Sequence, residues 1–525
     1  MVNGTKKNIL AKNAEYLFFL LSVIPVFLFR DFTPNNELKY LSIADEAIRD
    51  GNIFAFMNHG AAYADKPPLY IWIVMLGKLI FGKHSLLFLG LFSVIPSLAI
   101  VRIMDKWVEG LYSEKVRQAG RIMLFTSTFY IGSAVVLRMD MLMCMFIVLS
   151  LRTFFIMFNG GINLRNRLLF PVFIFLAVFT KGPVGILVPL FSTVAFLIIR
   201  KQFRSLGRYW GWLTWVILIL LSAVWFGCVY LEGGKEYFNN LIFNQTVNRA
   251  VDSFHHKAPF YYYLKTVWYI IAPWSLLVIG CVVVGIIKKS YANLTVQFFL
   301  SVFTVTLFML SAISSKIEIY FLPAVPFLIY IALPVLDGTG SMGMKKTGIA
   351  IPSIIFTAVF PVLLVLKRQN PDEWSGVFFM VAGVILSLSG ITSLYLTFRD
   401  KISIAVRPVG IGFLTAVFIG SFSLKDFGTE TGFAVVTGAA KEYADNNYIS
   451  NYYSFKIRSA ENMDVYLGKS VNVIDTQEQD PLRLINPPAL LFIRKYDYEK
   501  EGMGRNGNSE IIGTYGSYSI VVFKN

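Results

Sequence analysis

Charge is scarce in this 525-residue chain: 15% of its residues are Asp, Glu, Lys or Arg, against 55% hydrophobic and a mean hydropathy of +0.59. That balance excludes a soluble globular protein of this length and indicates a chain that crosses the bilayer many times. Cysteine is scarcer still. Cys144, Cys228 and Cys281 all sit inside apolar runs, so no disulfide framework or thiolate zinc site is readable, and the three read as packing or lipid-facing residues. There is no low-complexity linker, no internal repeat, no G-x-x-x-x-G-K-[ST] loop and no credible G-x-G-x-x-G unit, so no nucleotide site is expected. The net charge of +16 is no sign of nucleic acid. Its Lys and Arg fall in short clusters between apolar runs and form no continuous basic face.

What is present is a series of apolar runs near 14–30, 85–104, 120–137, 140–158, 167–181, 183–200, 211–230, 264–287, 294–312, 317–335, 347–366, 376–397 and 406–424. Taken as runs of roughly twenty apolar residues, these are read as spans. Lys6, Lys7 and Lys12 precede the first, with no small-residue cleavage site after it, which reads as a retained signal anchor with a cytoplasmic N-terminus. One further run, Leu69 to Phe81, is short and follows Pro67-Pro68. Counting it as a helix lying in the outer interface puts every basic cluster inside: Lys106 to Arg121, Arg165/Arg167, Lys201 to Arg208, Lys288/Lys289, Lys345/Lys346 and Arg399 to Arg407. Counting it as a crossing puts them outside, so the positive-inside rule selects the first arrangement. The segment Asp31 to Lys83, the turns at Arg138–Asp140, Lys181–Pro183 and Ser314–Lys316, the loop Glu232–Tyr263 and everything after Leu424 then face outward. The expected organisation is a membrane domain over 1–424, with interfacial helices in its first external loop (31–83), and a small external α/β domain over 425–525, where VYLGKSVNVI, ALLFIRK and YSIVVF alternate with polar stretches.

With the sides assigned, ionisable residues converge on one face, and at a bilayer edge such residues are functional candidates. Asn36-Glu37-x-Lys39-Tyr40 follows the first span; its Glu37 suits a general base, or simply a solvated helix start. Tyr63-Ala64-Asp65-Lys66-Pro67-Pro68 holds Asp65 and Lys66 extended ahead of two prolines, and Lys66 is a point charge suited to a phosphate, or a snorkelling interfacial lysine. Arg138-Met139-Asp140 squeezes both signs into a turn, facing a polar cavity or pairing together. His255-His256-Lys257-Ala258-Pro259-Phe260-Tyr261 offers imidazole, although two ligands do not make a metal site and its aromatic run also suits an interfacial belt. Ser314-Ser315-Lys316 with Tyr320 and Pro323 adds a further cation and tyrosine.

These motifs, in this order at the outer ends of the spans, resemble the membrane glycosyltransferases of the GT-C fold, nearest the bacterial lipid A 4-amino-4-deoxy-arabinose transferases and the protein O-mannosyltransferases. The resemblance runs from about Tyr16 to Pro334 and more loosely to the end, with Thr180-Lys181-Gly182-Pro183 among the matching motifs. It implies about thirteen spans, a small periplasmic C-terminal domain, and inverting transfer of a sugar from a polyprenyl-phosphate donor to a lipid A phosphate, a protein hydroxyl or another glycan at the periplasmic face of the bacterial inner membrane. Lys66 would hold the donor phosphate, with Lys39, Arg138 and Lys316 as further cations. Asp140 would be the second acidic residue of the cavity, and Tyr63 and Tyr320 would line it. Asp65 and His256 occupy the positions that hold a zinc ion in the arabinose-type enzymes. The chain departs from the family at Asn36, where a catalytic Asp is usual. An amide is no general base, so Glu37 or Asp140 takes the proton, or an acceptor phosphate, already carrying roughly 1.5 to 2 negative charges, needs no base.

Two rivals remain: a noncatalytic polyprenyl-phosphate binder, which Asn36 favours, and a lipid-linked sugar flippase or transporter. A transporter gathers ionisable groups near the midplane and often shows repeated halves, whereas here the polar groups gather at one face.

Overall fold

The computed structural model describes residues 2–242, 257–338, 340–370, 376–474, 484–501 and 509–524. By their contacts the residues form two units: Met1–Pro25, Ala64–Tyr70 and Leu87–Gly420 in the first, and Val26–Tyr63, Ile71–Leu86 and Ser421–Asn525 in the second. The expected division at 424/425 had placed the whole first loop with the spans; by contacts, residues 26–63 and 71–86 join the C-terminal segment.

The first unit is helical. Among the described residues eight helices are long and apolar enough to cross a membrane, including α4 (Leu86–Trp107), α7 (Asp140–Phe158) and Trp212–Ile242, and four shorter apolar helices accompany them. Two expected spans are broken. The run 120–137 is α5 (Glu114–Thr126) and α6 (Thr128–Val135), interrupted by extended backbone at Ser127. The run 264–287 is Tyr262–Ile270 and Ser275–Ile287, interrupted before and at Pro273. The two breaks meet. Thr128 N and Thr128 Oγ1 both donate to Ala272 O, at 2.8 and 2.9 Å, and Trp274 Nε1 donates to Thr126 Oγ1 at 2.8 Å. Backbone groups freed in an apolar setting must find partners inside the protein, and each break supplies them for the other.

Packing centres on aromatics: Phe298 meets Phe154, Phe155 and Phe196 with ring centroids 4.9 to 5.6 Å apart. Helices Met342–Gln369, Val377–Phe398 and Ile402–Gly420 lie side by side. At Gly390 a Cβ would sit 2.5 Å from Ser353 O, so only glycine permits that approach. One buried ion cluster ties α1 (Val2–Phe29), α4 and α5. Arg121, 1% exposed, donates to Asp105 at 2.8 Å, Glu15 at 2.9 Å and Glu114 at 2.8 Å.

The second unit carries the expected α/β segment. Strands Asn451–Phe455, Val471–Ile474, Ala489–Arg494, Ser509–Tyr515 and Tyr518–Phe523 form a mixed five-stranded sheet. Asn451–Phe455 pairs in parallel with two neighbours, and Tyr518–Phe523 pairs antiparallel with two. The strands Ala489–Arg494 and Tyr518–Phe523 are nearly continuous apolar runs because both faces are covered.

In the same unit the first loop is stitched to this sheet and its helices. Helix α2 (Glu37–Asp50) ends at Gly51, whose φ of 76° suits a glycine cap. Asp31 accepts from Ala434 N at 3.0 Å and from the Tyr466 hydroxyl. Ser42 donates to Asp464 at 2.7 Å, and Asn462 donates to Pro34 O at 3.1 Å. Glu46 binds the amides of His59 and Gly60 at 2.7 and 2.9 Å. Helix α3 (Leu69–Phe81) has 13 residues, about 20 Å of helix, too short for the hydrocarbon core. It starts directly after Pro67-Pro68, where proline is well tolerated.

Candidate active site

A cavity of about 750 Å³ lies within the first unit. Asp65, Lys66, Lys181, Ser222, Ser315 and Tyr320, with the Trp225 indole, provide its polar lining, and side chains such as Phe175, Leu187, Leu218 and Leu310 make the remainder apolar.

The polar end is built by helix termini. Helices α7 and α8 (Leu164–Lys181) are antiparallel neighbours of 19 and 18 residues joined by a short turn. Equal lengths return the last residue of α8 to the level of the first residue of α7. Asp140 opens α7 and Lys181 closes α8, each at the terminus whose dipole favours its charge, and the two side chains form an ion pair. Asp140 is 1% exposed, and Arg138 Nε lies 3.2 Å from its other oxygen. The Lys181 ammonium also sits 5.0 Å from the centre of the Tyr320 ring, a cation–π contact. Lys66 Nζ donates to Asp65 Oδ2 at 2.9 Å.

The other expected residues are distributed as follows. Lys316 is buried, and its ammonium donates to Ala258 O at 3.0 Å and Ile313 O at 2.5 Å; it does not line the cavity. It thereby holds the chain beside Lys257, which pairs with the cavity residue Ser315. In the second unit Glu37 is buried and receives Arg30 Nη1 and Nη2 at 2.6 and 2.7 Å and Thr33 N at 2.8 Å. Asn36 precedes it, exposed, at the helix N-cap without a side-chain capping bond. Lys39 Nζ stands 4.6 Å from the centre of the buried Tyr63 ring.

His256 lies outside the described residues. Among the described residues no group of three or more His, Cys, Asp or Glu side chains is placed to hold a metal ion, and Asp65 alone is not a site.

Lys181 is the residue whose importance exceeds its signal in the sequence. It sits in the Thr180-Lys181-Gly182-Pro183 motif, yet its pairing with Asp140 depends on two helices having matched lengths. Arg30, the partner of Glu37, also passes in the sequence for an ordinary charge at the end of a span.

No protein-family model matches the chain. An uncharacterized protein of Aquifex aeolicus is 26% identical over 383 residues, covering 70% of this chain and 72% of that one. The undecaprenyl phosphate-alpha-4-amino-4-deoxy-L-arabinose arabinosyl transferase of Shewanella sediminis is 21% identical over 366 residues, 68% of this chain. The chain spans 64% of that transferase's length. The crystal structure of ArnT from Cupriavidus metallidurans bound to undecaprenyl phosphate has the same fold, with a TM-score of 0.74 at 15% identity over 97% of this chain and 98% of that one. The chain thus has the fold of that membrane protein and is similar in sequence to the arabinosyl transferases over about two thirds of its length.

Proposed function

We propose that the chain moves one sugar from a polyprenyl-phosphate donor to an acceptor at the periplasmic face of the inner membrane. The observation that carries this is the cavity, where two lysines, an aspartate paired with one of them and a tyrosine occupy an otherwise largely apolar chamber. Its volume of about 750 Å³ suits a sugar phosphate with the first part of its lipid. An anionic head requires the cations, and the apolar walls accept an isoprenoid chain. The undecaprenyl phosphate held by the Cupriavidus relative supports the same ligand class.

In this reading Lys66 and Lys181 face the donor phosphate. The bond between the anomeric carbon and the phosphate oxygen breaks, the acceptor oxygen bonds the same carbon from the opposite side, and polyprenyl phosphate leaves. Direct displacement inverts the centre. Lysines fixed before reaction stabilise the charge that grows on the leaving oxygen. Asp140 holds Lys181 in position. Both carboxylates considered as bases, Glu37 and Asp140, are held by cations, which supports an acceptor phosphate that arrives ionised. A lipid A phosphate fits that requirement better than a protein or glycan hydroxyl. A zinc ion at Asp65 and His256 is a separate proposal, tested by the metal content of the purified wild type against His256→Ala.

The test is transfer of radiolabelled sugar from a panel of polyprenyl-phosphate sugars to envelope fractions, comparing wild type with Lys66→Ala, Asp140→Asn and Glu37→Gln. Labelled product that vanishes with Lys66→Ala supports the transferase. Saturable lipid-phosphate binding with no product from any donor overturns it and favours the noncatalytic binder that Asn36 suggests.

A further inference from the structure

Trp225 lies on the long helix α9 (Trp212–Asn239), lines the cavity and is 6% exposed. Its indole Nε1 has no hydrogen-bond partner among the described residues. Elsewhere in the unit buried indoles are satisfied: Trp210 donates to Thr193 at 2.9 Å and Trp274 to Thr126 at 2.8 Å. Among the described residues the Trp107 indole also has no hydrogen-bond partner, but it is packed among Phe155, Phe298 and Phe299 and does not line the cavity. A buried donor without a partner is costly and rare in native proteins, and calls for a specific explanation.

The helix pattern supplies one. Trp212, Ile219 and Val224 are 72%, 64% and 59% exposed and form the outward face. Leu218, Ser222, Trp225 and Phe226 line the cavity, a single stripe at helical spacing. On that stripe only Ser222 and Trp225 carry hydrogen-bonding groups, one turn apart. Their depth follows from Phe179, whose ring meets the Trp225 ring edge-on at 5.4 Å. Phe179 precedes Lys181 by two residues, about 3 Å along the helix, so Trp225 stands just beneath the cationic end.

We propose that the Trp225 N–H, with the Ser222 hydroxyl beside it, hydrogen-bonds an oxygen of the donor's head group, making Trp225 a specificity-determining residue of the cavity. This rests on the lipid-linked donor reading above. The N–H has no partner among the described residues and gains one when the head group is seated, so the bond favours the bound state.

Full-length protein in detergent is titrated with polyprenyl phosphate and with a polyprenyl-phosphate sugar, wild type against Trp225→Phe. Phenylalanine keeps a ring against Phe179 and Phe226 and removes the N–H. Binding about tenfold weaker is expected: for both lipids if the acceptor is a phosphate oxygen, for the sugar-bearing lipid alone if it is a hydroxyl. The thermal midpoint without ligand falls by a few degrees at most, the cost of a smaller ring in the same packing, because the N–H holds no bond among the described residues. Wild-type affinity for both lipids in Trp225→Phe overturns the assignment. So does weaker binding accompanied by a midpoint without ligand lowered well beyond that, which reports lost packing instead. If the wild type itself binds neither lipid, the donor reading falls, an outcome distinct from a variant that binds normally.

Discussion

Asp140 and Lys181 are the first residue of one helix and the last residue of its antiparallel neighbour, and their side chains form a buried ion pair at the polar end of the cavity. Removing one partner of such a pair leaves the other charge buried, at a cost of about 3–5 kcal/mol. Asp140→Asn should lower the unfolding midpoint in detergent and abolish transfer, and Asp140→Asn combined with Lys181→Gln should recover much of the stability but none of the transfer. A double-mutant cycle on the midpoint checks this; additive effects would mean that the pair is not coupled.

Glu37 separates two mechanisms. Held by both Arg30 nitrogens and the Thr33 amide, it is expected to act as an anchor of the first loop. Glu37→Gln should destabilise the protein by about 3 kcal/mol while leaving the shape of the pH–rate profile intact. Transfer lost with the midpoint preserved would make Glu37 the base.

Tyr466 gives a pH dependence of definite sign. Burial, and then the Asp31 carboxylate to which it donates, push its phenol well above the ordinary tyrosine value. In the unfolded chain a tyrosine ionises near about 10. Above that pH the unfolded state binds fewer protons than the native state, so stability falls as pH rises. Between pH 9 and 11 the wild type should lose stability more steeply than Tyr466→Phe, as read by thermal unfolding of the two proteins side by side. Equal slopes would remove Tyr466 from the linkage.

Arg121 holds Asp105, Glu15 and Glu114 together in the helical unit. Arg121→Ala leaves the buried Asp105 with Arg117, at 3.4 Å, as its remaining partner, and a loss of about 3 kcal/mol is expected, well beyond the effect of breaking an exposed pair such as Lys524–Glu510. Unfolding midpoints of Arg121→Ala and Lys524→Ala make the comparison.

Much of this protein was legible in residue order alone. Apolar runs announce helices because nothing else satisfies the backbone in lipid. The brevity of Leu69–Phe81 after two prolines marked it as something other than a span, and the alternating apolar stretches after Leu424 announced strands. The Lys66 motif also stood out, since a cation held before Pro67-Pro68 is conspicuous in a chain with so little charge. What hydropathy could not show is a break inside an apolar run. Ser127 and Pro273 interrupt 120–137 and 264–287 inside otherwise apolar sequence, and the two interruptions hydrogen-bond to each other in addition to their own local turns.

Residue types and their periodicity thus determined the fold class, the helical runs and the short list of chemically competent side chains, because burial preference and backbone satisfaction act locally. Tertiary structure alone decided which of those side chains share a cavity: Lys181 with Lys66 and Tyr320, Lys316 diverted to backbone carbonyls, Glu37 paired with Arg30, and Trp225 beneath the polar end. Those pairings depend on helix lengths and packing between segments far apart in the chain, so no local pattern carries them.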